Sequence, residues 1–275
     1  MTHNIVQAAA DEPIPERRPM SKPVVRKLEK DDIFNALLAG WNDVKAAPSY
    51  GLVIGALHCA AGWLAIYFSK FSGLNYFTYP FLTGIALISP FTAAALYEVS
   101  RRLEKGQPLS WGAVLGSVKA SGGRDLGWMC LVALFGFILW IDYSFFLYLM
   151  FYGAHMPDPQ TFLREVLTTE KGLIFLVVGN VVGGGIAFVI YSITVVSVPL
   201  LLDRDVDFVT AMITSVKSVL ANPWQLLAWA FGIAAMLVFG VLSGLFGLIL
   251  VLPLLGHASW HVYRKLVEPE TASAG

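Results

Sequence analysis

Apolar residues predominate in five stretches of the chain, each long enough to fill a hydrocarbon layer, at 50–69, 78–99, 126–152, 172–202 and 224–267. A layer of ~30 Å takes about 20 such residues in a helix, because no water is present there to satisfy backbone groups. The last stretch has 44 residues, about twice one span, with Ser243-Gly244 at its middle. Dividing it there into a tight helical hairpin predicts six spans, the last two at 224–242 and 245–266.

Each pair of spans is preceded by a short amphipathic stretch, and the three stretches align. They read DIFNALLAGWNDVKAAPSYG from Asp32, LSWGAVLGSVKASGGRDLGW from Leu109, and DFVTAMITSVKSVLANPWQL from Asp207. Superposing Phe34, Trp111 and Val209 also superposes Ala36, Ala113 and Ala211, then Gly40, Ser117 and Ser215, then Pro48, Asp125 and Pro223. In the first copy Ile33, Phe34, Leu37, Leu38, Trp41 and Val44 fall on one helical stripe, and Asn35, Asn42 and Asp43 face elsewhere. These predict three interfacial helices along one membrane surface. Pro90, Pro199 and Pro253 sit deep in the even-numbered spans, where each predicts a kink and a carbonyl left for a neighbouring group to satisfy. The predicted fold is therefore all-α, a polytopic bundle of six transmembrane helices and three amphipathic helices in a threefold internal repeat. Gly51 with Gly55, Gly179 with Gly183, and Gly240 with Gly244 are each four apart, a spacing that lets helix backbones approach closely.

The polar positions add orientation. Residues 1–31 hold four prolines among charged residues and predict a disordered cytosolic tail; a membrane domain follows at 32–267 and a short cytosolic tail at 268–275. Of 19 Lys and Arg, 16 fall in the tails and the segments on one side, and only Lys70, Arg164 and Lys171 on the other. That asymmetry predicts both termini in the cytoplasm, and an even number of spans agrees by putting the two on one side. Composition agrees: 56% of residues are hydrophobic, 14% are charged, mean hydropathy is +0.65 and net charge is zero. No charge excess attracts nucleic acid, and the two cysteines, both in apolar runs, exclude a four-thiolate zinc site.

Few residues at membrane depth can carry chemistry. Asp142 and Asn180 lie in the outer halves of the third and fourth spans, at about 15 Å and 12 Å from the outer surface at 1.5 Å per residue. They read either as an intramembrane polar site for a proton or ion, or as isolated groups near a loosened outer end. His257 and His261 form H-x-x-x-H on one helix face, the beginning of a metal or haem site. No Glu or Asp is spaced along the chain to complete it, and histidines bonding lipid phosphate or backbone beside Arg264 are the plainer alternative. There is no Walker sequence and no nucleophile elbow, so no catalytic residue and no cofactor is expected.

The PLLGHASWHVYR ending at 253–264, together with SPFTAAALYEVSRRLEKG at 89–106, resembles a bacterial family of integral membrane proteins called domain of unknown function 2189. The resemblance covers about 33–267 and implies a location in the bacterial inner membrane. Some members carry a cytochrome c oxidase label, but a haem-copper subunit needs intramembrane histidines on several spans, and this chain offers His58, His257 and His261. The expectation is a non-enzymatic structural or accessory protein that contacts membrane lipid and other membrane subunits, such as those of a respiratory complex. A small-solute or proton-coupled transporter is the alternative, and a redox or lipid-acting enzyme the third.

Overall fold

The computed structural model describes residues 23–73, 78, 80–83, 92–154 and 158–269, without the side chains of 121–124 and 159. Helices form nearly all of it: α1 (Asp32–Ala46), α2 (Pro48–Phe71), α3 (Ala94–Glu104), α4 (Trp111–Tyr152), α5 (Pro159–Thr168), α6 (Glu170–Thr194), α7 (Ser197–Asp203), α8 (Phe208–Ala221), α9 (Pro223–Leu242) and α10 (Leu248–Leu266). Among the described residues, four segments are long and apolar enough to cross a membrane: Pro48–Phe71, Asp125–Tyr152, Glu170–Asp203 and Pro223–Leu242, with mean hydropathies of 1.7, 2.1, 2.5 and 2.1. They coincide with the first, third, fourth and fifth spans read from the sequence. Residues 79 and 84–91 of the second span, Pro90 among them, lie outside the described residues, and α3 takes up its last six positions, 94–99.

The sixth expected span is α10, a helix that His257, Ser259, His261, Arg264 and Lys265 make less apolar than the other four. Its surroundings explain this composition. Leu255, Gly256, His257 and Ala258 are four consecutive buried residues, so the helix is enclosed on every side at this turn, which needs no lipid-compatible face. The α9–α10 turn falls where the sequence places it. Gly244 and Leu245 both adopt positive φ, 70° and 69°, and buried Leu245 is held against Gly62 of α2.

Glycines set the spacing between α10 and the helices beside it. An added Cβ would come within 2.5 Å of the Ala258 backbone at Gly40, 2.7 Å of Pro253 at Gly51, and 2.6 Å of the Ile249 backbone at Gly55. The Ile249 carbonyl is the one that Pro253 deprives of its helical partner, and it lies against Gly55. Between α4 and α6, Gly183 receives the Trp140 ring in the same way, whereas Gly184 and Gly185 border open space.

Proline also decides where helices break. The residue before proline is disfavoured in helical backbone angles. Ala47 before Pro48 (φ −135°, ψ 57°) and Asn222 before Pro223 (φ −133°, ψ 52°) accordingly adopt nearly the same conformation, separating α1 from α2 and α8 from α9. Asp125 stands at the corresponding place in the middle copy, and there the expected boundary is absent: α4 runs through it for 42 residues.

At Pro199 the fourth span steps from α6 to α7. The Ser215 hydroxyl of α8 enters the break, accepting from the Val196 N–H at 3.1 Å and donating to the Ser192 carbonyl at 2.7 Å. Ser215→Ala strands both buried backbone groups and is expected to lower stability by about 1–3 kcal/mol, read as a fall in detergent melting temperature. Asp207 caps α8, accepting from the Thr210 N–H at 2.9 Å and its hydroxyl at 2.6 Å. These bonds, Thr210 hydroxyl first, hold its carboxyl below the usual carboxylate range. The cap is therefore fully present above the ordinary carboxylate pKa and lost as pH falls through the lowered one. Asp207→Ala should cost about 1 kcal/mol at neutral pH and much less in strong acid, as pH-dependent melting would show.

The expectation of a disordered tail is corrected in part. Residues 1–22 of the expected loose tail lie outside the described residues, but 23–31 are strapped onto the bundle. The Arg26 N–H donates to the Leu266 carbonyl at 2.8 Å and the Glu268 N–H to Val24 at 3.0 Å, joining Val25 and Val267 in an antiparallel bridge. Asn222 secures the strap, accepting from the Leu28 N–H at 2.7 Å and donating to the Arg26 carbonyl at 3.0 Å. Helix α5 lies in a connection for which no element is expected from the sequence pattern, and it is announced by Asp158-Pro159: Asp158 accepts the Gln160 and Thr161 N–H groups, and proline opens the first turn.

Candidate functional site

The structure supplies the acid that the sequence left unassigned. Asp43 comes from α1, because Ala36 and Gly40 are the residues buried against α10 and Asp43 follows Gly40 by three on the same face. The hydrophobic stripe is rolled accordingly, leaving Phe34, Leu38 and Trp41 exposed. Asp43 Oδ2 accepts from the Ser100 hydroxyl of α3 at 2.6 Å and from His261 Nε2 at 2.8 Å. Ser100 has then given its only proton to Asp43, so His257 Nδ1, 2.7 Å away, carries hydrogen and donates to Ser100 Oγ. The cluster thus ties α1, α3 and α10 together.

This order of groups opposes nucleophilic catalysis. Ser100 lies between the acid and His257, it donates to the carboxylate rather than to an imidazole base, and both Ser100 and His257 are fully buried. Among the described residues no group of three or more His, Cys, Asp or Glu is arranged to hold a metal ion, and the metal-candidate pair His257 and His261 is engaged with Ser100 and Asp43.

Beyond the cluster, the cations at the ends of α3 and α10 turn inward onto carboxylates. Glu98, 1% exposed, receives Arg101 at 3.0 Å and Arg102 at 2.8 Å. Asp203 at the end of α7 meets Arg101 at 3.5 Å, Lys105 at 3.8 Å and Arg264 at 3.3 Å, and accepts the Tyr263 hydroxyl at 2.8 Å. Glu104 meets Arg264 at 2.9 Å, and Lys265 reaches Asp32 of α1 at 3.0 Å. Sequence reasoning used these cations only for orientation; their spacing from Glu98 by three and four residues was the available sign of pairing.

Deeper in the bundle, a cavity of ≈ 610 Å³ opens between α2, α3, α6, α9 and α10. Its walls are almost wholly apolar, and the polar side chains among them bond to protein. His58 Nδ1 lies 2.8 Å from the Ile54 carbonyl and Nε2 2.8 Å from the Thr92 hydroxyl. The Tyr191 hydroxyl donates to Leu226 at 2.9 Å and Thr194 to Ile190 at 2.8 Å. Asn180 lines this cavity and a second of ≈ 380 Å³ between α4, α5 and α6, and its amide donates to Leu176 at 2.8 Å. Asp142 is exposed on α4 and lines neither, so the two residues of the expected polar site do not share a cavity.

Apolar helices of spanning length around a largely apolar cavity, with the ion pairs described above gathered at one end, are the architecture of a protein dissolved in lipid. Residues 78–203 match the family described as predicted integral membrane protein (DUF2189). No curated protein and no solved structure matches the chain. The DUF2189 match runs from the second apolar stretch to the end of α7. It contains the segment at 89–106 and leaves outside it the one at 253–264. Ser100 and Asp203 lie within the DUF2189 stretch, whereas Asp43, His257 and His261 come from the flanking segments.

Proposed function

We propose that this protein is a six-span, non-catalytic component of the bacterial inner membrane, with both termini cytoplasmic, acting as a structural or accessory subunit of a membrane complex. The observation that carries this reading is that buried polar chemistry is used to join helices, while apolar side chains line the outside of the amphipathic ones. Phe34, Leu38 and Trp41 on α1, and Val209, Ile213 and Leu220 on α8, are all exposed. The strap supports an even number of crossings, since Val25 and Val267 pair and so lie on the same side of any bilayer. The matching breaks at Ala47-Pro48 and Asn222-Pro223 support the internal repeat.

Affinity purification in mild detergent, with mass spectrometry of companion subunits, tests the accessory role. Companions should be recovered with the wild type and lost with Phe34→Ser/Trp41→Ser, which leaves insertion unchanged; purification of both chains alone would refute it. Tags at either end should be reachable only from the cytoplasmic side. Carriage of a small solute is a second reading, favoured by the ≈ 610 Å³ cavity. With Asp142 outside its walls, that solute would be apolar rather than a proton.

A further inference from the structure

We propose that the cavity between α2, α3, α6, α9 and α10 is a binding site for one hydrocarbon chain of a membrane lipid. The first argument is shape. On α6 the wall runs from Asn180 through Gly184, Ala187 and Tyr191 to Thr194, one helix face about 20 Å long at 1.5 Å per residue. On α9 it runs from Leu227 to Leu237, about 15 Å. A volume of ≈ 610 Å³ spread over the longer wall leaves a bore of about 30 Å², a slot parallel to the helices rather than a compact chamber.

The second argument is chemistry. A trapped water needs two to four polar partners. The wall's polar side chains are committed elsewhere: His58 to Ile54 and Thr92, Tyr191 to Leu226, Thr194 to Ile190, and Tyr97 to Ser259. An ion or polar solute would lose hydration for little return, whereas a polymethylene chain asks for no hydrogen bond. The third is supply. Val181 and Val189 of α6 and Phe231 of α9 are exposed beside this wall, on segments apolar enough to span a membrane, so lipid chains are the adjoining solvent.

Gly184 offers a clean way to fill the slot. It lies in the wall, and an added Cβ would meet nothing within 4 Å, so a side chain can begin there without a clash, and Gly184→Leu adds bulk at the slot. The experiment reconstitutes the full chain in phosphatidylethanolamine and phosphatidylglycerol vesicles containing a phospholipid with a diazirine near its chain end, then maps the photolabelled peptides. Label on the Gly184–Tyr191 face of α6 and on Ala234 should saturate and be competed by unlabelled phospholipid. It should fall several-fold in Gly184→Leu and in Ala234→Phe, while label at lipid-facing Val181 is unchanged. Should both variants fail to fold, saturation and competition in the wild type decide alone. Label at these positions that rises linearly with probe, or persists undiminished in folded filled variants, overturns the proposal. So does rapid reaction of Ala187→Cys with a charged, water-soluble maleimide, which would mean a hydrated path.

Discussion

Gly55→Ala should destabilise the protein by about 1–3 kcal/mol, the usual range for forcing extra volume into a packed interior. The added methyl would lie 2.6 Å from the Cα and carbonyl oxygen of Ile249, atoms of a neighbouring backbone that no rotamer change can move aside. Separating α2 from α10 would also disturb the helix whose 255–258 turn is wholly buried. Gly40→Ala should act likewise through the Ala258 backbone, and Gly55→Leu should prevent assembly. Gly232→Ala provides the comparison: its Cβ meets nothing within 4 Å, and alanine is the better helix former by up to about 1 kcal/mol. Melting in detergent should therefore fall for Gly55→Ala and hold or rise for Gly232→Ala. Equal melting of the two would mean that α2 and α10 are not in backbone contact.

The second large effect is expected at Asp43. Asp43→Ala removes the acceptor of buried Ser100 and of part-exposed His261 together, at a cost of about 3 kcal/mol. Asp43→Asn keeps one side-chain oxygen and should recover part of it. Asn42→Ala, next in the chain but exposed, should change little. Hydrogen exchange adds a local readout: α1 amides should lose protection in Asp43→Ala while those of α6 keep theirs. An Asp43→Ala protein that melts like Asn42→Ala would remove the cluster from any part in holding α1.

How much of this could be read from the residues follows from the range of the interactions. Four spans and the 243–244 hairpin were legible, because apolar length and a glycine at a turn act within one segment. The breaks at Pro48 and Pro223 were equally local, since proline constrains its own neighbour; the fusion of α4 was legible in principle from Asp125 in the proline's place. Side chains that face another helix were not. Asp43 looked like part of a polar face because the most hydrophobic residues seemed to mark the buried side, yet in lipid the small residues Ala36 and Gly40 mark it. The same inversion separated Asp142 from Asn180, for depth along a helix was readable and rotation about its axis was not. His257 and His261 were recognised as neighbours, but their partners lie more than 150 residues away.

The bridge between Val25 and Val267 brings the entry and exit of the bundle within one hydrogen bond of each other, so the polypeptide is almost a ring. A short peptide joining residue 23 to residue 269 would close it, and the exposed turn at Gly106, already at positive φ, offers a place to open it again. Such a circular permutant would begin near α4 and end with α3 while keeping every helix contact described above, making the order of segments in the gene separable from their arrangement in the bilayer.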